Sequence, residues 1–533
     1  MLFGKMLKRL YFRILRRRLR GYRILKKSSR IWKVDEINEA LTTTECIKEG
    51  VYSKIIFGAF GKNVELSIRQ YLLMRLAGVQ LGKDILYTHG KVGAKVVYPL
   101  PPEWRKVLNL RGLKVDAVRS MVLWNALVFI ALVYGVLSIG RTFLQGIKEI
   151  IKPSIPALGC YIFFDGLSES NLPRASRDGP GRDIISWYQQ WSGRTKFHAI
   201  THTVKGVTRT TSMGVPLFSL RSAIPPPTKL STLFRYLGWG VVASVIATVD
   251  FLRGRWWHAL LLSEASKAAL VRMHQSNQLA LDYLFHNSAW MYRPLWTYEA
   301  EAKGSRIIFY FYSTNIEPFS RPGYDPLRAS CGYQAMTWSH YLVWDEYQAD
   351  FVRRVACGDP RIDVVGAIGF SDSKKFLSVL PSRTVAVFDI QPQRDILYKL
   401  QAPDFDYYIP SVAIQFLADI HQVLKEADCH LAFKKKRDIG RLAHPLYRDY
   451  VRKFKNLDNC IYVQPEVPAD KVSEGCFAVI SMPFTSTAHG AHAMGKPSVF
   501  YDPSGLIQKN DRAAHGIEVL CGRDELREWL LQL

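Results

Sequence analysis

Residues Ala478–Gly505 read AVISMPFTSTAHGAHAMGKPSVFYDPSG. The apolar run Phe477–Ile480 leads into Ser481-Met482-Pro483-Phe484 and predicts a strand that stops at the proline. Thr485–Met494 then predicts a helix, and Ser498–Tyr501 a further strand. A strand that turns into a helix and is followed by another strand is the unit of a parallel sheet covered by helices. One hydroxyl side chain at a helix start caps free backbone N–H groups. Three in succession after a proline, Thr485, Ser486 and Thr487, exceed what a cap needs. A helix start carries partial positive charge and unpaired donors, which suit a phosphate, and ligands of open α/β sheets gather at strand carboxyl ends. Ser481–Ser504 is therefore the expected phosphate-binding segment.

Outward from this stretch the alternation continues. Thr384–Asp389, Cys429–Phe433 and Cys460–Val463 predict strands, with helices over Ile409–Ala427, Ala469–Gly475 and Glu525–Leu533. Nearer the N-terminus, Tyr161–Phe164 predicts a strand that ends in the turn Asp165-Gly166. Phe197–Thr203, Ile307–Tyr312 and Val364–Phe370 predict further strands, and His258–Leu284 and Tyr341–Val355 predict helices. The expected fold class is α/β, with two Rossmann-like domains over 155–365 and 366–533. A basic arm over 1–33 and a helical, membrane-associating region over 34–154 precede them.

The 533 residues are 48% hydrophobic and carry a net charge of +26, which excludes general disorder and points to an anionic partner. Thirteen Lys/Arg and no acid lie between Met1 and Lys33, with Phe3, Leu7, Leu10, Ile14 and Leu15 near helical spacing. That pattern suits an amphipathic helix on an anionic membrane surface, or a solvated arm. No nucleic-acid-binding fold accompanies it. The apolar residues of the arm are interrupted by Lys and Arg, unlike a secretory signal. The eight cysteines form no CxxC pair, which fits a reducing cytosol. Met121–Ile139 is long enough to span a bilayer, and Tyr236–Val249 is a weaker apolar stretch. A single span would strand the α/β domains across the membrane from the basic arm. In-plane membrane contact and a buried helix of a large protein remain the two readings.

Pro483, Phe484, Thr485 and Ser486, with Gly495-Lys496-Pro497 and Tyr501-Asp502-Pro503 following, resemble the PFTS-motif proteins of bacterial polysaccharide biosynthesis. The segment is also similar to the donor half of GT-B glycosyltransferases. The resemblance is specific over the last third and extends more weakly to Leu284, through Arg293-Pro294-Leu295-Trp296-Thr297-Tyr298-Glu299. It implies a GT-B-like fold and a metal-independent glycosyltransferase at the cytoplasmic face of the inner membrane. The donor would be a nucleotide-sugar and the acceptor a lipid-linked or growing glycan. No nucleic-acid partner and no cofactor are implied.

On this resemblance Ser481, Pro483, Thr485, Ser486 and Thr487 hold the donor phosphate. Lys434, Lys436 and Arg437 offer cations to a diphosphate, and Glu466 offers a carboxylate to ribose. Asp502 touches the sugar or caps a turn. A base must take the acceptor's proton; Asp165 and Glu299 are the candidates, ahead of Glu169 and Glu301, and Arg293 would bind an acceptor phosphate. There is no P-loop and no HExxH. Asp404-Phe405-Asp406 precedes a helix, and His489 and His492 lack an evident third ligand, so no metal is expected. A GT-B-type epimerase or hydrolase and a non-catalytic assembly factor remain as alternatives.

Overall fold

The two runs of strand–helix alternation form two separate sheets. The computed structural model describes residues 41, 52–58, 61–72 and 95–533, apart from 153–159, 173–182, 194–196, 205–208, 211–214, 288–291, 324–332, 334–335, 369–378, 394–406 and 436–438. The basic arm and Asp404–Asp406 lie outside the described residues. The first sheet comprises β1 (Tyr161–Phe164), β2 (Ala199–His202), β3 (Arg209–Thr210), β4 (Pro216–Ser219), β5 (Asp282–His286), β6 (Arg306–Tyr310), β7 (His340–Val343) and β8 (Arg361–Val364). Its order is β3-β4-β2-β1-β5-β6-β7-β8, with β3 and β4 antiparallel and the remaining pairs parallel. The second comprises β9 (Thr384–Asp389), β10 (His430–Lys435), β11 (Cys460–Val463), β12 (Ala478–Ser481), β13 (Ser498–Asp502) and β14 (Val519–Cys521). It is wholly parallel, in the order β11-β10-β9-β12-β13-β14.

The helices, in chain order, are α1 (Ser53–Phe57), α2 (Gly61–Gln70), α3 (Pro102–Leu110), α4 (Ala117–Ile151), α5 (Ile184–Ser192), α6 (Leu230–Leu252) and α7 (Trp257–Met273). They continue with α8 (Leu295–Ala302), α9 (Glu346–Val355), α10 (Pro410–Glu426), α11 (Pro445–Phe454), α12 (Ala469–Glu474), α13 (Thr487–Ala493) and α14 (Gly522–Leu531). The chain crosses from one half of each sheet to the other between β1 and β5 in the first and between β9 and β12 in the second. Such switch points open a crevice at the strand carboxyl ends.

The α/β expectation holds, with local corrections. The helix expected over His258–Leu284 ends at Met273, and β5 occupies Asp282–His286. Tyr341–Val355 splits into β7 and α9, because Asp345 caps the helix by accepting from the Gln348 N–H at 2.8 Å. Of the expected strand over Val364–Phe370, residues 369 and 370 lie outside the described residues, and of Val364–Ile368 only Val364 lies in a strand, with β8 extending the other way. All five residues of β5 and all four of β7 are buried, and strands covered on both faces lose the alternation that separates them from helices.

The helix α7 is the hub of the first domain. Twelve of its residues are buried, among them Leu260, Leu261 and Leu262, and it packs on α4, α6 and α8. Helices α4 and α6 run antiparallel, with Ile139 against Gly240 and Leu233 against Gly146. A Cβ on Gly240 would sit 2.5 Å from Ile139 Cγ2, and one on Gly135 2.7 Å from Leu262 Cβ, so glycine permits the close approach of α4 to α6 and to α7. On the side away from α7, Ile130, Tyr134, Leu137 and Leu144 of α4 and Phe234, Val241 and Val245 of α6 are exposed.

Both helices are long and apolar enough to cross a membrane by length and composition. The strand order argues against a lone crossing by α6. Strand β4 precedes α6 and β5 follows α7, yet both belong to one sheet. The segment before α4 also returns to α7: Ser53 Oγ meets His258 Nε2 at 3.1 Å, and Arg272 donates to the Ile56 carbonyl at 3.3 Å.

Candidate functional site

The second switch point collects polar groups from four strand ends. Asp389 closes β9, with Lys435 of β10 beside it in register, and Met482 donates its N–H to Phe388 O at 2.8 Å on the other side. The Asp389 carboxyl is fully buried, and Tyr447 of α11 donates to its Oδ2. Its Oδ1 is buried with no hydrogen-bond partner. Burial pushes its pKa up to about 6, against the pull of the Tyr447 hydrogen bond and the charges of Lys435 and Lys434. Lys434 is also buried, with Nζ donating to the Lys435 carbonyl at 3.2 Å. Burial lowers its pKa, while the charges of Asp470, Glu466 and Asp389 act in the opposite sense. The structure thus places Lys434 within the field of Asp470, Glu466 and Asp389. Lys436 and Arg437 lie outside the described residues.

Beside this group β12 delivers the PFTS turn. Phe484 has φ +70°, a left-handed conformation that costs a non-glycine residue about 1–3 kcal/mol. Its ring sits 6.2 Å from that of Tyr408, whose hydroxyl donates to the Pro483 carbonyl at 3.4 Å. The hydroxyls are more occupied than expected. Ser481 Oγ and Thr487 Oγ1 are 2.7 Å apart, Thr485 and Thr487 Oγ1 are 3.0 Å apart, and Thr485 donates to the Met482 carbonyl at 3.0 Å. They form an internal network that fixes the turn. Helix α13 starts at Thr487 instead of Thr485, with Ser486 at the N-cap, half-buried and making no side-chain capping bond. Ser486 is the hydroxyl best placed for a ligand.

Several expected ligand residues are committed elsewhere. Asp502 Oδ1 accepts from Ser504 N and Oγ at 2.9 and 2.7 Å, and Oδ2 from Ile507 N at 2.8 Å. Its role is the turn, because both oxygens are engaged and the residue is buried. Arg293 is a correction. Its side chain is buried, donating to Thr297 Oγ1 at 3.1 Å, Thr337 O at 2.8 Å and Glu301 Oε2 at 2.6 Å, so it clamps the loop into α8 and presents no charge to an acceptor.

The two candidate bases lie in different layers. Asp165 follows β1 at the first switch point, its N–H bonded to Leu284 O of β5 at 2.9 Å. His286 at the end of β5 donates from Nε2 to Gly166 O at 3.3 Å, and the Asp165 charge adds to the burial that raises the Tyr310 pKa. Glu299 instead lies on α8 under α7, with Oε1 3.4 Å from Arg272 Nε. It is buried in the helix layer and does not reach the strand ends. Burial pushes its pKa up to about 7, against the charges of Arg272 and Lys303. The folded protein therefore retains a proton that the unfolded chain releases between the ordinary carboxylate range and about pH 7, and stability falls as pH rises through that window. Glu299→Gln is expected to raise Tm by about 2–5 °C at pH 8, with the gain vanishing near pH 5. Paired thermal melts at the two pH values check this.

The carboxyl ends of the two sheets face each other across a polar seam. His515, between β13 and β14, approaches Asp345, just after β7, with Nδ1 2.8 Å from Oδ2. His489 of α13 lies 3.5 Å from the same oxygen, with its ring 5.5 Å from that of Trp344. Two doubly wound sheets with facing carboxyl ends define a GT-B-like α/β protein. The family described as polysaccharide biosynthesis PFTS motif protein matches residues 239–530, more than half of the chain, and the chain belongs to that family.

No curated protein matches the sequence. Among solved structures, the UDP-GlcNAc 2-epimerase of Methanocaldococcus jannaschii is 8% identical, with 70% of this chain and 91% of that chain covered and a TM-score of 0.37. The lipopolysaccharide outer core galactosyltransferase WaaB is 11% identical over 69% and 89% of the two chains, with a TM-score of 0.33. The wall teichoic acid polymerase TagF is 9% identical over 74% and 88%, with a TM-score of 0.35. The strand order, not these similarities, establishes the architecture.

Proposed function

We propose that this polysaccharide biosynthesis protein is a glycosyltransferase that moves a sugar from a nucleotide-sugar to a membrane-proximal glycan or lipid-linked acceptor. One observation carries the reading: the second switch point sets Lys434, Glu466 and the Ser486 start of α13 around one set of strand ends. The α13 start and Lys434 hold the diphosphate, and Glu466 takes the ribose hydroxyls. Their positive charge stabilises the departing diphosphate, so transfer proceeds without a metal. Asp165, at the other sheet's switch point, removes the proton of the acceptor hydroxyl. The acceptor oxygen bonds to the anomeric carbon as the bond from that carbon to the diphosphate oxygen breaks, in a single displacement. The α4–α6 face lies in the plane of the cytoplasmic leaflet of the inner membrane, with the basic arm on anionic headgroups.

Calorimetric titration of the purified protein with a panel of nucleotides and nucleotide-sugars tests the donor site. One nucleotide class is expected to bind saturably. Lys434→Met is expected to weaken it by about 10–100-fold, the worth of a charge-assisted contact. The Ser486→Ala/Thr487→Ala pair is expected to weaken it as well. A folded protein that binds no member of the panel would overturn the transferase reading and favour an assembly factor.

A further inference from the structure

The seam cluster sets two histidine nitrogens against one carboxylate. His515 Nε2 lies 3.1 Å from the carbonyl of Thr314, an acceptor only, so Nε2 carries a hydrogen. In the neutral ring Nδ1 is then a lone pair, yet it faces both oxygens of Asp345 at 3.0 and 2.8 Å. Two acceptors at that distance require a proton or a cation between them. His489 sharpens the point. Its Nδ1 is buried without a hydrogen-bond partner and is directed at the same Asp345 oxygen. One ligand atom from each of Asp345, His489 and His515 lies within 4.8 Å of the others.

We propose that Asp345, His489 and His515 bind one first-row divalent cation, Zn2+ by preference, as a structural clamp between the two domains. Two imidazoles and a carboxylate suit such an ion, and three protein ligands leave a fourth position for water. The surroundings have the character of a built metal site. His515 is oriented by its Nε2–H bond to Thr314 O, the outer contact that sets tautomer and ring direction in histidine ligands. Asp345 Oδ1 is anchored by the Gln348 N–H at 2.8 Å. The rings of Trp344 and Tyr347 lie 5.5 Å from His489 and 5.9 Å from His515.

The ligands also explain what the clamp does. Asp345 belongs to the first domain, and His489 sits two residues after Thr487 on the helix that follows the PFTS turn. The ion would fix the donor-side turn against the opposite sheet. The sequence offered only His489 and His492 at helical spacing; the partners of His489 are distant in the chain and meet it only after both sheets have formed. This role is separate from the transfer step, which draws its cationic charge from Lys434 and the α13 start.

Cobalt titration of the chelator-stripped full chain, followed by visible absorption, is the test. The expected result is ligand-field bands that saturate at one Co2+ per chain and are bleached by Zn2+, with Zn2+ raising Tm. His489→Ala is expected to weaken Co2+ binding at least about a hundredfold. Asp345→Asn removes the charge while keeping an oxygen able to accept from the Gln348 N–H, and is expected to weaken it too. Absence of saturable bands and of any Zn2+-dependent Tm shift in the wild-type protein would overturn the proposal, leaving a His515–Asp345 ion pair. Unchanged binding by a folded His489→Ala variant would overturn it equally.

Discussion

Asp165→Asn is expected to lower kcat by about 10²–10⁴ while the fold and donor affinity stay as they are. The substitution keeps the shape of the side chain and removes its capacity to take a proton. Asp165 follows β1 where the chain crosses between the halves of the first sheet, and its main chain is tied to β5 through Leu284 O. Donor binding is assigned to the other sheet, so calorimetry with the nucleotide-sugar should not register the change. The outcome to watch is the pairing of lost turnover with retained binding and an unchanged Tm. A kcat within a factor of ten of wild type would remove Asp165 from the reaction and direct attention to His286, its neighbour on β5.

Replacing Ile130, Leu137, Val241 and Val245 together by Glu is expected to reduce partition onto anionic vesicles by at least about a hundredfold. The side chains are exposed on α4 and α6, so the folded protein loses little packing. In lipid each would bury apolar surface worth about 1.5–3 kcal/mol. Four such losses add to the repulsion of four new carboxylates from anionic headgroups, while the contribution of the basic arm is the same in both proteins. Flotation at matched ionic strength measures the effect. Undiminished flotation of the quadruple variant would refute the in-plane face and leave the arm as the sole membrane contact.

The second domain was more legible in the sequence than the first. From Thr384 to Leu531 every expected strand and helix has a counterpart, because short apolar strands are separated there by Gly, Pro and Asp breaks. In the first domain β5 and β7 merged with neighbouring helices, since strands buried on both faces carry no period of two. Within the candidate site, Lys434, Glu466 and the PFTS turn stand out in the sequence because each lies at or after the end of an apolar strand-like run. Asp389 is itself the last residue of β9, and its signal is the acidic end of an otherwise apolar run, Thr384–Asp389. Arg293 misled because an arginine beside a motif resembles a ligand clamp until its hydrogen bonds to Thr297, Thr337 and Glu301 are seen. The seam trio was illegible for a different reason. Residues 345, 489 and 515 share no spacing pattern, and only the docking of one sheet end on the other makes them neighbours.

The position of α6 and α7 between β4 and β5 has a consequence for how the protein is made. Strand β1 emerges early, pairs with β2, and must keep its other edge open until β5 arrives roughly 120 residues later, a wait of about 6–24 s at ordinary translation speed. For the first part of that interval, until α6 and α7 emerge, the apolar α4 has neither of them to lie against. A nascent chain in that state exposes both an unpaired sheet edge and a long greasy helix, the two features that drive aggregation. Synthesis beside a lipid surface would shelter the helix first, so on the proposed membrane location the bilayer would serve as a folding partner before it served as a workplace.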